Sequence, residues 1–269
     1  MTWTSGIVLV LIALLAGVGI TTVGPGGVFL TAALFGITSL SSAAVAGTAS
    51  ATFVATGLVG AGTYVWSGEL ATRASWEAAL ALSGAGAVGA LTGTLLNLQA
   101  SDQLFGDLLG AFLVSTAGLV VYREYVSGRT DGIPGSSVPG SSVPGSSVPG
   151  SSSSLRRGIL TAVGGGVGVL SGLLGVGGPV IAVPTLVSFG MPMLRAVAVA
   201  QVQSVFLALF AAVGYGAAGA IDFSLALLVG VPQLFGVVIG WGVAHRVSPS
   251  RLRIALAVVL AVAGTVVAL

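Results

Sequence analysis

Cysteine and lysine are absent from this 269-residue chain, histidine occurs once, and charged residues make up only 6% of it. Each shortage excludes something. Without cysteine there is no disulfide framework and no thiolate metal site. A single histidine leaves no histidine-rich metal centre and little from which to build a catalytic triad. Without lysine there is no Walker A motif, because that lysine reaches the nucleotide phosphates. ATP bound to this chain is therefore not expected to power it, and no enzyme activity, cofactor or metal is expected. Soluble domains carry roughly a quarter charged residues. The small charged fraction, an apolar share of 55% and a mean hydropathy of +1.09 read instead as an all-α polytopic membrane protein embedded in a lipid bilayer. A β-barrel would alternate polar and apolar residues over segments of about ten, and the apolar runs here are longer and do not alternate. The net charge of +2 is small and lies in loops, so it sets membrane orientation and does not point to nucleic acid.

Glycine and proline are plentiful where a membrane helix should not want them. Gly172–Leu186 lies inside an apolar run from Ile159 to Phe189, yet carries four glycines and two prolines. Proline lacks an N–H and clashes with the carbonyl one turn back, and glycine is a weak helix former. A break at membrane depth survives only where protein buries it or where it lines a polar cavity, and transporters bind substrate at such breaks. A second, weaker break occurs at Val23–Leu30. An offset of 154 aligns Gly36 with Gly190, Ser50 with Ser204, and Gly60 and Gly62 with Gly214 and Gly216. Further on, an offset of 147 brings Gly89 and Gly93 to Gly236 and Gly240. The chain thus reads as a duplication.

Ten apolar segments follow: Gly6–Thr22, Gly27–Leu40, Ala43–Val65, Trp76–Leu98 and Leu104–Tyr122, then Gly158–Leu174, Pro179–Phe189, Ala196–Ala218, Phe223–Ala244 and Leu252–Leu269. Residues 1–22 start without a basic cluster, so they read as a first span and not as a signal peptide. The second segment of each half is too short to cross a core of about 30 Å, so the first two of each half form a broken or re-entrant hairpin with the glycines at its tip. The expected domains are a membrane repeat over 1–126, a linker over 127–154 and a second repeat over 155–269. Ser-Ser-Val-Pro-Gly repeats three times across Ser136–Gly150. That composition cannot build a core, and as a loose coil it spans about 30 Å.

Arg123, Arg129, Arg156 and Arg157 flank the linker, Arg195 follows the seventh segment, and Arg246, Arg251 and Arg253 precede the last. The positive-inside rule places these regions in the cytoplasm and both termini outside. Five segments per half is odd, so the halves enter with opposite polarity, as in an inverted-topology repeat. Trp3, Trp66, Trp76 and Trp241 fall near segment ends, as an aromatic belt would.

No charged residue or histidine falls near the middle of a span, so an intramembrane proton relay has no members. His245 reads as an interfacial histidine. What remains at depth is neutral. Gln201, Gln203 and Ser204 follow the second break; Thr48 and Ser50 hold matching places in the first half, and Gln233 follows Pro232. These are candidate donors to a dehydrated anion, or interhelical hydrogen bonds. Two residues apart on a helix point to different faces, so Gln201 and Gln203 should not share one ligand. The tips have a sharper use. A helix that starts inside the membrane presents unpaired N–H groups and the positive end of its dipole, and proline is favoured at its first position. Gly175, Gly177, Gly178 and Pro179 fit that description, and Gly24, Pro25, Gly26 and Gly27 would serve from the opposite side. Elsewhere, Gly164, Gly168 and Gly172, and the pairs Gly89–Gly93 and Gly236–Gly240, read as close-packing sites. Gly84–Gly89 matches a dinucleotide pattern but lacks its strand and acid.

Leu170–Pro179, running on to Val183-Pro184-Thr185-Leu186, resembles the glycine-rich signature of the TauE/SafE sulfite-exporter family, with Pro179 at that family's third glycine. Gly26 and Gly27 resemble its degenerate first copy, although Ala33 stands where a proline often falls. The long Val-Pro-Gly linker departs from the usual short loop. The resemblance implies a permease for sulfite, sulfonates or related small anions. A membrane scaffold without transport is the competing expectation, and a homo-oligomer is compatible with either.

Overall fold

The computed structural model describes residues 3–130 and 153–247. The interior of the repeat-rich linker, the expected tenth segment Leu252–Leu269, and Arg251 and Arg253 lie outside the described residues. Among the described residues the regular elements are nine helices: α1 (Trp3–Thr22), α2 (Gly27–Ile37), α3 (Ser42–Trp66), α4 (Arg73–Asn97), α5 (Asp102–Thr130), α6 (Ser153–Leu174), α7 (Pro179–Ser188), α8 (Met193–Ala217) and α9 (Phe223–Ala244). These are the segments expected from hydropathy, with ends moved by a few residues. The larger change is at the linker, where helix runs on to Thr130 and resumes at Ser153. Helices α1, α3, α4, α8 and α9 are long and apolar enough to cross a bilayer. At about 1.5 Å per residue, α2 and α7 reach only about 15 to 17 Å, about half a bilayer core.

Local chemistry sets the boundaries. Ser41 caps α3 by accepting from Ala44 N (3.3 Å), Thr72 caps α4 through Ser75 N (3.4 Å), and Asp222 caps α9 through Leu225 N (2.9 Å). Such caps satisfy N–H groups with no intrahelical partner. Two caps are tied to neighbouring elements: Ser42 N donates to Asp102 Oδ1 at 2.7 Å, and Asp222 N donates to Thr48 Oγ1 at 3.0 Å.

Packing crosses between the halves. Helix α4 packs most extensively on α6, α1 on α9, and α3 on α8. Glycine makes the first two contacts possible. A Cβ at Gly93 would stand 2.1 Å from Val169 O, and one at Gly168 would stand 2.1 Å from Gly86 O. Across the other pair, a Cβ at Gly236 would stand 2.1 Å from Leu14 O, and one at Gly17 would stand 2.1 Å from Gln233 O. In both pairs backbone lies directly on backbone.

These contacts recur in register. Gly89 lies against Gly165 O, and Gly236 against Leu14 O; Gly93 lies against Val169 O, and Gly240 against Val18 O. The α1 and α6 members of each set are 151 apart, and the α4 and α9 members are 147 apart. Helices α3 and α8 are both 25 residues long and start 151 apart. Tyr64 and Tyr215, also 151 apart, each donate to a carbonyl 43 residues earlier. The offset of 154 read from scattered glycines is thus three residues too long here, because chance glycine identities compete with the register that packing enforces. Ser50 takes the place of Gln201, not of Ser204. The offset of 147 holds.

A substitution pair separates packing from hydropathy. Gly168→Val should overpack the α4–α6 contact at a cost of about 1–3 kcal/mol or more, read as a fall in thermal stability in detergent. Gly166→Val should leave stability unchanged, since a Cβ there meets nothing within 4 Å. Equal behaviour of the two would overturn this account of the interface.

Candidate functional site at the paired helix breaks

The chain leaves α1 through Val23-Gly24-Pro25-Gly26 and leaves α6 through Gly175-Val176-Gly177-Gly178. Gly24, Gly175 and Gly177 take positive φ angles of 108°, 61° and 79°, a region that side chains other than glycine rarely enter. The two breaks meet. A Cβ at Gly24 would lie 3.1 Å from Pro179 O and 3.0 Å from Val183 Cγ2, and one at Gly27 would lie 2.7 Å from Val176 O. Thr31 on α2 donates its hydroxyl to Gly175 O and ties one break to the other.

Breaking a helix exposes carbonyls at one piece and amides at the next. Side chains from other helices cover the carbonyl ends. For α1, Gln201 Nε2 donates to Ile20 O at 3.0 Å, and Tyr64 Oη donates to Thr21 O at 2.5 Å. For α6, Tyr215 Oη donates to Gly172 O and Asn97 Nδ2 donates to Leu173 O, both at 2.7 Å. The amide ends belong to α2 and α7. Neither N-terminus has a side-chain cap, and Pro179 occupies the first turn of α7.

Both amide ends border one small cavity, lined by Ile20, Gly24, Gly27, Phe53, Thr56, Val176, Gly177, Pro179 and Ser204. In this conformation it has room for about one water molecule. Of the residues singled out in the sequence, Gly24, Gly27, Gly177, Pro179 and Ser204 line it. Gly178 is the N-cap of α7. Gln203 is wholly buried, both its amide atoms lack a partner, and its Cδ lies 3.7 Å from where a Gly178 Cβ would stand. Gly178 and Gln203 adjoin the cavity wall at Pro179 and Ser204 without lining it, and the other five do not line it either. Pro25 is buried, and Gly26 packs on the backbone of α1 at Ala16 and Ile20. Gly175 packs on Ala46, Ser50 is buried on α3, and Gln201 holds the end of α1 while its Oε1 is unpaired beside Gly60. The faces of Gln201 and Gln203 do differ, as their spacing requires. Sequence reasoning missed Ile20, Phe53, Thr56 and Val176. Their only signal is adjacency to the breaks, plus for Phe53 and Thr56 a place on the helix that follows the first one.

The ionisable cluster lies elsewhere. His245 Nε2 meets Glu69 Oε1 at 2.9 Å, and its Nδ1 meets Trp241 O at 2.8 Å. Ser67 receives the Trp241 Nε1 hydrogen bond at 3.2 Å and itself donates to Glu69. This latch joins the end of α9 to the loop between α3 and α4. His245 is pulled above its ordinary value of 6.5 chiefly by the Trp241 carbonyl; burial opposes this, and the hydrogen bond and charge of Glu69 add to the rise. For Glu69 burial is the largest single influence and acts upward. The Ser67 and His245 hydrogen bonds, with a backbone hydrogen bond and the His245 charge, together outweigh it and leave the carboxyl below its ordinary 4.5.

Long apolar helices, two of them interrupted at facing breaks, define a multi-pass α-helical membrane protein. The chain belongs to the sulfite exporter TauE/SafE family, whose profile matches residues 9–267. A relative described as a probable membrane transporter protein, from Methanocaldococcus jannaschii, is 29% identical over 106 residues, which is 36% of this chain and 40% of the relative. No solved structure matches.

The latch predicts a pH window. The raised His245 value gives stability that is complete below the ordinary imidazole value and lost as pH rises through the folded one. The lowered Glu69 value gives stability that is present above the ordinary carboxyl value and lost as pH falls through the folded one. Glu69→Gln should therefore lower thermal stability by about 1 kcal/mol or less near pH 6, with the deficit shrinking as pH rises through the raised His245 value. A deficit that is constant with pH would show that the pair does not titrate.

Proposed function

We propose that the chain is a secondary transporter of small anions, with sulfite, sulfonates and related sulfur-containing or organic anions as its substrate class. It works by alternating access around the two breaks. The observation that carries this reading is that both amide ends, and no charged side chain, border the same buried cavity. Each helix N-terminus presents roughly half a positive charge, and the capping of the opposite carbonyl ends leaves that field uncancelled. Gly24, Gly27, Gly177, Gly178 and Pro179 let backbone approach the ligand. Ser204, Gln203 and Thr56 supply neutral polar groups.

The recurring contacts support an inverted repeat. Exchanging the α1–α9 and α4–α6 pairs by one pseudo-two-fold operation would convert an opening on one side into an opening on the other. A cavity with room for one water is the occluded stage of such a cycle, since a sulfur oxyanion needs more space. The arginine distribution supports a cytoplasmic linker and external termini.

Gly177→Leu should fill the cavity and abolish sulfite flux in proteoliposomes, with the protein still inserted and monodisperse. The milder Ser204→Val should lower the flux about tenfold, in keeping with the loss of one hydrogen bond to a charged group. Flux that survives both would place the site elsewhere. If the unmodified protein carries no anion of a sulfite, sulfonate and carboxylate panel, the non-transporting scaffold is the better reading.

A further inference from the structure

Gln203 is the feature that the packing does not account for. A fully buried amide that bonds nothing costs free energy, about 1–3 kcal/mol for each unpaired polar atom. Gln203 leaves both its Nε2 and its Oε1 unpaired at zero exposure. Gln233 is likewise buried with both amide atoms unpaired, but it packs on α1 at Gly17 and not at an amide end. The other large polar side chains around the breaks each have a partner. Tyr64, Tyr215, Asn97, Thr31 and Gln201 each hold a carbonyl. The Gln203 amide lies at the N-cap of α7, with its neighbour Ser204 in the cavity wall. It offers one donor and one acceptor to whatever occupies the space in front of that helix.

The charge available there is limited. Two helix N-termini supply together about one positive charge. No charged side chain lines the cavity, and the chain has no lysine. Removing an ion from water costs more steeply as its charge rises, and an uncompensated charge in an apolar setting is unstable. About one unit of positive potential matches an anion of one unit, not two. An acceptor such as Gln203 Oε1 also repels a bare oxyanion oxygen but pairs with a hydroxyl.

We propose that this site takes a singly protonated oxyanion, of the hydrogen-sulfite type, in preference to the dianion, and that Gln203 reads the protonation state. Its Nε2 donates to a charged oxygen and its Oε1 accepts from the O–H of the anion. This rests on the transport reading above. The proton travels as part of the substrate, so no carboxylate or histidine relay is required at membrane depth. The ionisable residues on the helices packed around Gln203 are Tyr64 on α3, Arg73 and Glu77 on α4, Arg156 and Arg157 on α6, and Arg195 and Tyr215 on α8; the residues that line the cavity include none of them.

The test is sulfite flux into vesicles that hold the full chain, measured across the second ionisation of sulfite, with protein-free vesicles subtracted. Sulfate, which keeps two charges throughout, is the comparison. The expected result is a rate that falls with rising pH in proportion to hydrogen sulfite, and sulfate flux at least about tenfold slower. Gln203→Met should lower sulfite flux by roughly tenfold or more. It should leave thermal stability unchanged or raised, because it removes an unsatisfied buried group. A glutamine with a merely structural role would instead lose stability and keep its flux. His245→Gln should keep the pH profile of the unmodified protein. The proposal is overturned by a rate that holds or rises with pH, by sulfate flux equal to that of sulfite, by wild-type flux in Gln203→Met, or by a profile that flattens in His245→Gln. No sulfite flux at any pH would instead overturn the transport reading itself.

Discussion

A backbone carbonyl or amide inside a bilayer must find its partner within the protein, since hydrocarbon offers none. Two interruptions in this chain create that problem twice. Five buried polar side chains are explained by it. Tyr64 and Tyr215 answer the same need in the two halves, each reaching back 43 residues to the fraying end of a first helix. Gln201, Asn97 and Thr31 complete the set from neighbouring helices. The breaks are therefore held in place by side chains anchored on continuous spans, which lets an irregular backbone persist at depth.

The same accounting leaves a directional remainder. Carbonyl ends are covered, while amide ends face a cavity. In the proposed anion carrier the preference for anions would come from the backbone alone, since no lysine or arginine stands in the cavity wall. Such a preference would be mild, and mildness suits transport, because a substrate held by a full buried charge is slow to leave. Phe53, Ile20 and Val176 contribute the apolar part of the wall, which limits water and strengthens whatever hydrogen bonds form inside.

The α1–α9 and α4–α6 contacts are backbone on backbone through glycine, so each pair resists separation; in the proposed cycle each pair would travel as a unit. The two halves exchange partners in these contacts, and neither half is a separate compact body. At one end of the bundle the His245–Glu69 pair and the Trp66–Trp241 ring contact at 5.5 Å hold α9 to the α3–α4 loop.

Helix positions were legible because hydrophobic length and glycine–proline breaks are local properties. The ends of α9 fell where the sequence placed them, and α2 and α7 were already too short to span. The break residues Gly24, Gly177 and Pro179 were legible for the same reason, since a missing N–H or a positive φ is a property of one residue. Register between the halves was not. Glycine is so common that identities at 154 outvoted the 151 that Tyr64 and Tyr215 enforce through space. The division between Gln201 and Gln203 was equally hidden. Both are buried glutamines on one helix, and only the tertiary arrangement decides that one meets the Ile20 carbonyl while the other meets nothing. Sequence sets which groups a chain must satisfy, and folding sets which of them find each other. A hydrogen bond across 181 residues, as from Gln201 to Ile20, depends on how helices cross, and no local pattern records that.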